Sequence, residues 1–136
     1  PWQKAVSSPS PERELAQSFA RKAQDDLEAL VVLAGTDAIS DAIVGFHAQQ
    51  AVEKALKVAL LLAGGGLRRT HDIKFLIDQA RELGVALPPD VETAAWLTPW
   101  AVELRYDEVV DDHLDRRRAL EAARADVALA EELLAG

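Results

Sequence analysis

The sequence predicts an all-α protein: a single up-and-down bundle of about five helices. Three observations lead to this. The apolar residues are mostly Ala, Leu and Val, and only 5% of the chain is aromatic. Long stretches contain neither Gly nor Pro, a composition that favours helix. No segment alternates between apolar and polar residues for long enough to indicate a strand. With 136 residues, the chain can bury a core as one domain.

The first two helices are predicted from apolar periodicity. Residues 1–10 contain three Ser and two Pro without periodicity, so we expect a disordered lead-in to a helical domain over residues 11–136. The first helix runs from Pro11 to Ala34 and ends at Gly35. The second runs from about Ala38 to Ala63 and ends at three glycines. The inward stripe of the first helix is Leu15, Phe19, Ala23, Leu27, Leu30, Val31 and Ala34.

The second half of the chain is divided by prolines and acidic residues. Thr70 is predicted to cap a third helix that ends at Gly84. After Pro88-Pro89, a fourth helix is split or kinked at Thr98-Pro99 and ends near residues 105–106. Residues 107–112 form an acidic connector, and Asp112 is predicted to cap a fifth helix that runs to about Leu134.

Composition limits the functional classes. There is no cysteine, which excludes disulfides and thiolate metal sites. No apolar run is longer than that of residues 58–63, which is far shorter than the ~20 residues that span a bilayer. The first residues contain no apolar segment typical of a secretory signal, so we expect a cytoplasmic protein. The net charge of −8 opposes general attraction to phosphate, so any nucleic-acid contact needs a local basic patch.

The second helix has an unusual polar face. On a helical projection, six polar side chains fall within an arc of roughly 160°: His47, Gln49, Gln50, Glu53, Lys54 and Lys57. The face predicts either a structural hydrogen-bond network with dimer contacts or the border of a nucleotide-binding groove. No glycine-rich phosphate loop lies beside it, because the three glycines lack the following Lys-Ser/Thr. A triphosphate would therefore need side chains such as Arg68, Arg69 and Arg105.

Four segments in order resemble one family. Residues 46–57 (FHAQQAVEKALK) are similar to the characteristic helix of HEPN domains (higher eukaryotes and prokaryotes nucleotide-binding). Residues 22–29 (KAQDDLEA), 70–76 (THDIKFL) and 97–106 (LTPWAVELRY) resemble further family segments. The resemblance covers residues 12–134. It implies a compact helical bundle that forms homodimers and binds a nucleotide or RNA without a cofactor. It also implies a minimal nucleotidyltransferase partner in a toxin–antitoxin-like pair. Tyr106, the single tyrosine, is a candidate acceptor of a nucleotidyl group from such a partner.

The same resemblance raises the alternative of a metal-independent endoribonuclease. Its toxic members use an Arg and a His at a dimer cleft, here matched by Arg105 and His113. His113 would take the 2′-hydroxyl proton and Arg105 would stabilise charge on the phosphate. Two features depart from the pattern: seven residues separate the pair, a longer spacing than the family's, and Asp107 replaces the family's Pro. The five acids near His113 also oppose a phosphodiester.

Other interpretations stay open. A scaffold that only dimerises is one. Another is a metal site of the HD phosphohydrolase type, built from His47, His71, Asp72 and a later Asp. Residues 116–118, three consecutive arginines, are interpreted as a solvated surface. Trp96 and Trp100 are interpreted as core or interface residues.

Overall fold

The computed structural model describes residues 10–101 and 113–136, and every regular element in these ranges is a helix. This confirms the all-α prediction. The elements are α1 (Pro11–Ala34), α2 (Asp41–Leu62), α3 (Ile73–Glu82), α4 (Pro89–Glu92), a 3₁₀ helix (Ala94–Trp100) and α5 (Arg116–Ala135). In the described part of the chain, no helix is long and apolar enough to cross a membrane.

Helix α2 is the centre of the bundle. It packs against α1 and α5 along its length, and against α3 and the 3₁₀ helix. As a result, 14 of its 22 residues are buried. Small residues allow the neighbours to approach closely: Ala48, Ala51 and Ala55 are fully buried. Half of the polar face predicted for α2, namely Gln49, Glu53 and Lys57, is therefore buried by other helices, whereas the other half is partly exposed.

Side chains cap four of the helices at their first turn. The side chains of Ser10, Ser40, Asp72 and Asp115 each accept a hydrogen bond from the backbone amide three residues later. The predicted cap at Thr70 is wrong: its hydroxyl accepts the Asp72 amide at 3.1 Å, and α3 begins two residues later than a Thr70 cap requires. Asp72 is the cap instead, because its carboxylate accepts the Phe75 amide and its negative charge is favourable at the start of a helix.

The segment around residue 98 also differs from the prediction. Thr98 and Pro99 lie inside the 3₁₀ helix, so Thr98 does not cap a new helix there. Its hydroxyl instead accepts the amide of Ile73 at 3.1 Å, which satisfies a free donor at the start of α3. The predicted helix end near residues 105–106 and the predicted cap Asp112 lie outside the described residues. Helix α5 begins at Arg116 behind Asp115.

Arg116 was interpreted as solvated, but it joins three parts of the fold. Its Nε donates to Asp41 at 2.9 Å, and its guanidinium reaches four backbone oxygens. Those oxygens belong to Leu33, Ala34, Thr36 and Ile39, at the end of α1 and in the turn to α2. Arg117 is 89% exposed, as predicted for the group. Arg118 lies 4.7 Å above the Trp96 ring.

Candidate functional site

A buried carboxylate organises the polar face of α2. Glu53 has a side chain that is only 5% exposed, and it accepts three hydrogen bonds from other side chains. Gln49 Nε2 donates to Oε1 at 2.9 Å, His71 Nδ1 lies 2.8 Å from the same oxygen, and Lys57 Nζ donates to Oε2 at 2.8 Å. Gln50 extends the network by donating to Gln49 at 2.7 Å. These contacts confine Glu53 to one orientation.

The network keeps Glu53 ionised. Burial alone would raise the pKa of Glu53, because it disfavours the charged form. Hydrogen bonds from Lys57, Gln49 and His71, with the charge of Lys57, outweigh burial and lower the pKa. We call Glu53 compensated, because the donors that surround this buried carboxylate replace the water that it loses on folding.

A second cluster lies on the α1 side of the same face. Asp26, on α1, accepts from Lys54 Nζ at 2.6 Å, and its other oxygen lies 3.0 Å from His47 Nδ1. All three side chains are partly exposed, from 13% to 27%. These contacts tie α1 to α2 and occupy Lys54 and His47 within the protomer.

The loop between α2 and α3 carries two arginines to the edge of the buried network. Gly64 and Gly66 adopt positive φ of 87° and 75°, a conformation that favours glycine and turns the chain out of α2. The loop is held at its other end, where Gln49 Nε2 donates to the carbonyl of His71 at 3.3 Å. Together with the Glu53–His71 contact, this fixes where Arg68 and Arg69 project from the fold.

We define the inner cavity as the open depression of about 300 Å³ that is lined by Phe19, Lys57 and the loop residues 67–71. Lys57, Arg68 and Arg69 bring positive charge to it, while the acid behind it, Glu53, is buried and engaged by its donors. In the described part of the chain, the Arg69 guanidinium has no hydrogen-bond or ion-pair partner. The cavity is thus a local cationic site on a chain of net charge −8.

The structure separates the predicted site residues into groups. Of the predicted site residues, Lys57, Arg68 and Arg69 line the inner cavity. Gln49 and Glu53 do not line it, but Glu53 binds Lys57 and accepts a hydrogen bond from Gln49. His47 and Lys54 face Asp26 instead, with Gln50 between the groups. Arg105 and Tyr106 lie outside the described residues.

His113 lies at the other end of α2. His113 is exposed. The backbone amide of its neighbour Leu114 donates to Asp41 at 3.1 Å, and the charge of His113 helps to lower the pKa of Asp41. Asp41 begins α2, whereas Lys57 is 16 residues further along. At 1.5 Å per residue, about 24 Å of helix separates the two positions. The nuclease candidate His113 and the cationic cavity are therefore different places on the molecule.

Four residues that line the inner cavity, Phe19, Leu67, Thr70 and His71, were not predicted as ligand-binding, although the sequence contained signals for Phe19 and His71. Phe19 belongs to the apolar stripe of the first helix, and its ring lies 5.9 Å from Lys57 Nζ. His71 appeared only as a metal-ligand alternative. His71 and His47 contact different carboxylates, Glu53 and Asp26. Among the described residues, no group of three or more His, Cys, Asp or Glu side chains could hold a metal ion.

Comparison with known proteins shows the family of the chain. The family model of the HEPN domain matches residues 16–133. Neither the curated proteins nor the solved structures gave a significant match. An all-α bundle with a compensated polar face on its central helix, matched over nearly its whole length, defines the class of protein. The chain belongs to the HEPN domain family.

Proposed function

We propose that this protein is a nucleotide- or RNA-binding regulatory module whose phosphate site is the inner cavity. The observation that carries the proposal is that Lys57, Arg68 and Arg69 line one open cavity, with Arg69 unpaired among the described residues. The HEPN family supports a nucleotide- or RNA-related role for the domain. The net charge of −8 opposes phosphate binding at the surface in general, so a local cluster of cationic side chains is needed to hold it.

The chemistry of the cavity suits phosphate. A guanidinium presents several donors in a planar fork that matches phosphate oxygens, and it stays charged at all physiological pH values. Lys57 adds a point charge from below, although Glu53 compensates part of it. Phe19 gives the cavity an apolar wall, which lowers the local dielectric and strengthens the charge–phosphate interaction.

Titration calorimetry at fixed salt tests the proposal, with ATP and a short single-stranded RNA as ligands. Arg69→Ala should weaken binding about 10- to 100-fold, because a hydrogen bond to a charged group contributes about 1.5–3 kcal/mol. Arg117→Ala is the matched control, since that side chain is 89% exposed and lies on α5. Equal loss in both variants, or no binding to the wild type, would contradict the proposal and leave a dimerisation scaffold.

The regulatory role implies protein partners. The family resemblance supports a homodimer and a minimal nucleotidyltransferase in a toxin–antitoxin-like pair. Light scattering of the purified chain tests the homodimer. Co-expression with the candidate nucleotidyltransferase, followed by co-purification, tests the partner. A monomer at micromolar concentration would reject the homodimer.

A second candidate function, endoribonuclease activity with His113 and Arg105, has one observation in its favour: His113 is exposed and accessible to substrate. Its surroundings oppose the reaction, because Asp41 and Asp115 lie close by in sequence or space. Incubation with RNA in EDTA separates the candidates. Cleavage that disappears in His113→Ala and persists in Arg69→Ala supports the nuclease at a site apart from the cavity.

A further inference from the structure

We propose that a second cavity, next to the first, receives the base of the nucleotide, and that it prefers bases with an exocyclic amino group. This inference rests on the proposed phosphate site. The outer cavity is defined by Arg68, Arg69, Thr70, Asp72 and Phe75, and its volume is about 330 Å³. The argument uses its position, its exposed aromatic ring and its carboxylate.

The two cavities are adjacent and share one wall. Arg68, Arg69 and Thr70 line both of them. Each volume is at the lower end of the range of about 300–1,000 Å³ that is typical of small-molecule sites. Each cavity therefore suits one part of a ligand, and a nucleotide has two such parts joined through a sugar. With phosphates at the inner cavity, the shared wall leads the rest of the ligand into the outer one.

Phe75 offers the base a stacking surface. It belongs to α3, where Ile73, Leu76 and Ile77 are buried in the core, yet Phe75 itself is 39% exposed. The Arg68 guanidinium lies 6.0 Å from the centre of its ring. An exposed aromatic ring beside an arginine is the combination that binds unstacked bases, because both planar groups stack on the base face. Arg68 can serve here because its bond to Gln79 is long, at 3.4 Å.

Asp72 supplies selectivity. One of its oxygens accepts the Phe75 amide at 3.3 Å as the cap of α3, and a carboxylate has further acceptor sites. An ionised carboxylate accepts hydrogen bonds and cannot donate them. It therefore favours the amino group of cytosine or adenine and disfavours the carbonyl oxygen that uracil presents at the same position. The cavity should discriminate between CTP and UTP, which are otherwise alike in size.

The test compares tripolyphosphate, ATP, CTP and UTP by titration calorimetry at fixed salt. Wild-type protein should bind ATP about 10-fold more tightly than tripolyphosphate, because a stacked base contributes about 1–3 kcal/mol. CTP should bind about 10-fold more tightly than UTP. Phe75→Leu should remove the advantage of ATP over tripolyphosphate. Asp72→Asn should remove the difference between CTP and UTP, since Asn still caps α3 but can also donate.

Lys74→Ala is the control, because Lys74 is 72% exposed on the same helix and does not line either cavity. Tripolyphosphate that binds as tightly as ATP, with Phe75→Leu unchanged, would overturn the base site and leave the phosphate site standing. Equal affinity for CTP and UTP would overturn the selectivity. Absence of binding to all four ligands would instead reject the proposed function, and the base site with it.

Discussion

Two buried carboxylates show how strongly the surroundings of a residue decide its chemistry. Glu53 and Asp126 are both almost inaccessible to solvent, at 3% and 0% exposure. Glu53 accepts three hydrogen bonds, and its pKa is lowered despite burial. Asp126 has no hydrogen-bond partner among the described residues, and burial raises its pKa well above the ordinary value. Two buried carboxylates thus have pKa values shifted in opposite directions.

Asp126 should make the folded state less stable as pH rises. Its folded pKa is raised, so the folded state holds the proton more tightly than the unfolded state does. The contribution of protonated Asp126 to the stability of the folded state is complete below the unfolded pKa of about 3.9. This contribution is lost as pH rises towards the folded pKa. Asp126→Asn removes this titration. The variant's advantage in free energy of unfolding should therefore grow between pH 5 and pH 7, by at most about 1.4 kcal/mol per pH unit.

Urea denaturation at several pH values measures this difference. Glu53 and Asp41 have lowered pKa values. Their contribution to the free energy of unfolding is therefore lost as pH falls, which is opposite to the behaviour of Asp126. The variant retains both residues, and subtraction from the wild type isolates Asp126. A constant difference across this range would show that Asp126 does not release its proton on unfolding.

Gly45 is required by the ring that packs on it. A Cβ at this position would lie 2.6 Å from Cδ2 of Trp100, and both residues are buried. Gly45→Ala gains about 1 kcal/mol of helix propensity, but the overpacking costs about 1–3 kcal/mol. We expect a net loss of stability in thermal denaturation. Gly35→Ala is the control, because nothing crowds that position and its φ is negative. A more stable Gly45→Ala protein would contradict the packing of Trp100 on α2.

At the scale of elements, α5 is joined to the α1–α2 turn through Arg116. Its guanidinium satisfies carbonyl oxygens at the end of α1 that have no partner within that helix. It also pairs with Asp41 in the first turn of α2. The hydrogen bond from the Leu114 amide lowers the pKa of Asp41 most strongly. Burial opposes it, and the hydrogen bond and charge of Arg116 lower the pKa further. At the far end, Arg13 donates to the carbonyl of Leu134. Arginines thus connect the helices at both ends of the α1–α5 pair.

Arg116→Lys tests this connection. The substitution keeps the charge but loses the fork of donors, so the oxygens of Ala34 and Ile39 lose this partner. The oxygens of Leu33 and Thr36 still accept backbone amides. The free energy of unfolding should fall by about 1 kcal/mol, because these oxygens are only partly buried and water can replace part of the lost hydrogen bonding. Arg117→Lys, one residue away and 89% exposed, should change stability by less than about 0.5 kcal/mol. Equal effects of the two substitutions in chemical denaturation would remove the structural role of Arg116.

At the scale of the whole molecule, α2 is surrounded by the other elements, so it cannot open without them. Contacts with α1, α5, α3 and the 3₁₀ helix all converge on it. Amides in its buried stretch, residues 48–61, should exchange hydrogen only through global unfolding. The 10-residue helix α3 lies at the edge and should exchange through smaller openings. Native-state hydrogen exchange measures both. Equal protection of α3 and α2 would show that the bundle opens only as one unit.

The sequence correctly predicted features that depend on local patterns. Apolar periodicity gave α1 with its observed limits, and Gly35 and Gly64 ended the first two helices as expected. The motif in residues 46–57 gave the family, which the match over residues 16–133 confirms. These succeed because helix formation depends on neighbours within a few residues.

The candidate site was only partly predictable. The six polar residues of α2 were recognised as a set, but the sequence could not divide them between Glu53 and Asp26. That division depends on His71 and Asp26, which are 18 and 21 residues from their partners Glu53 and His47. Arg116 was misread for the same reason, since its partners lie 75 or more residues away.

The sequence by itself determined the helical class, the family and the list of polar residues on the central helix. Only the tertiary structure decided that Glu53 is compensated and Asp126 is not. It also decided that Arg69 is unpaired among the described residues, and that about 24 Å of helix separates His113 from the cationic cavity. The physical reason is that a helix is made by local hydrogen bonds, whereas the state of a charged side chain depends on whichever distant groups the fold brings to it.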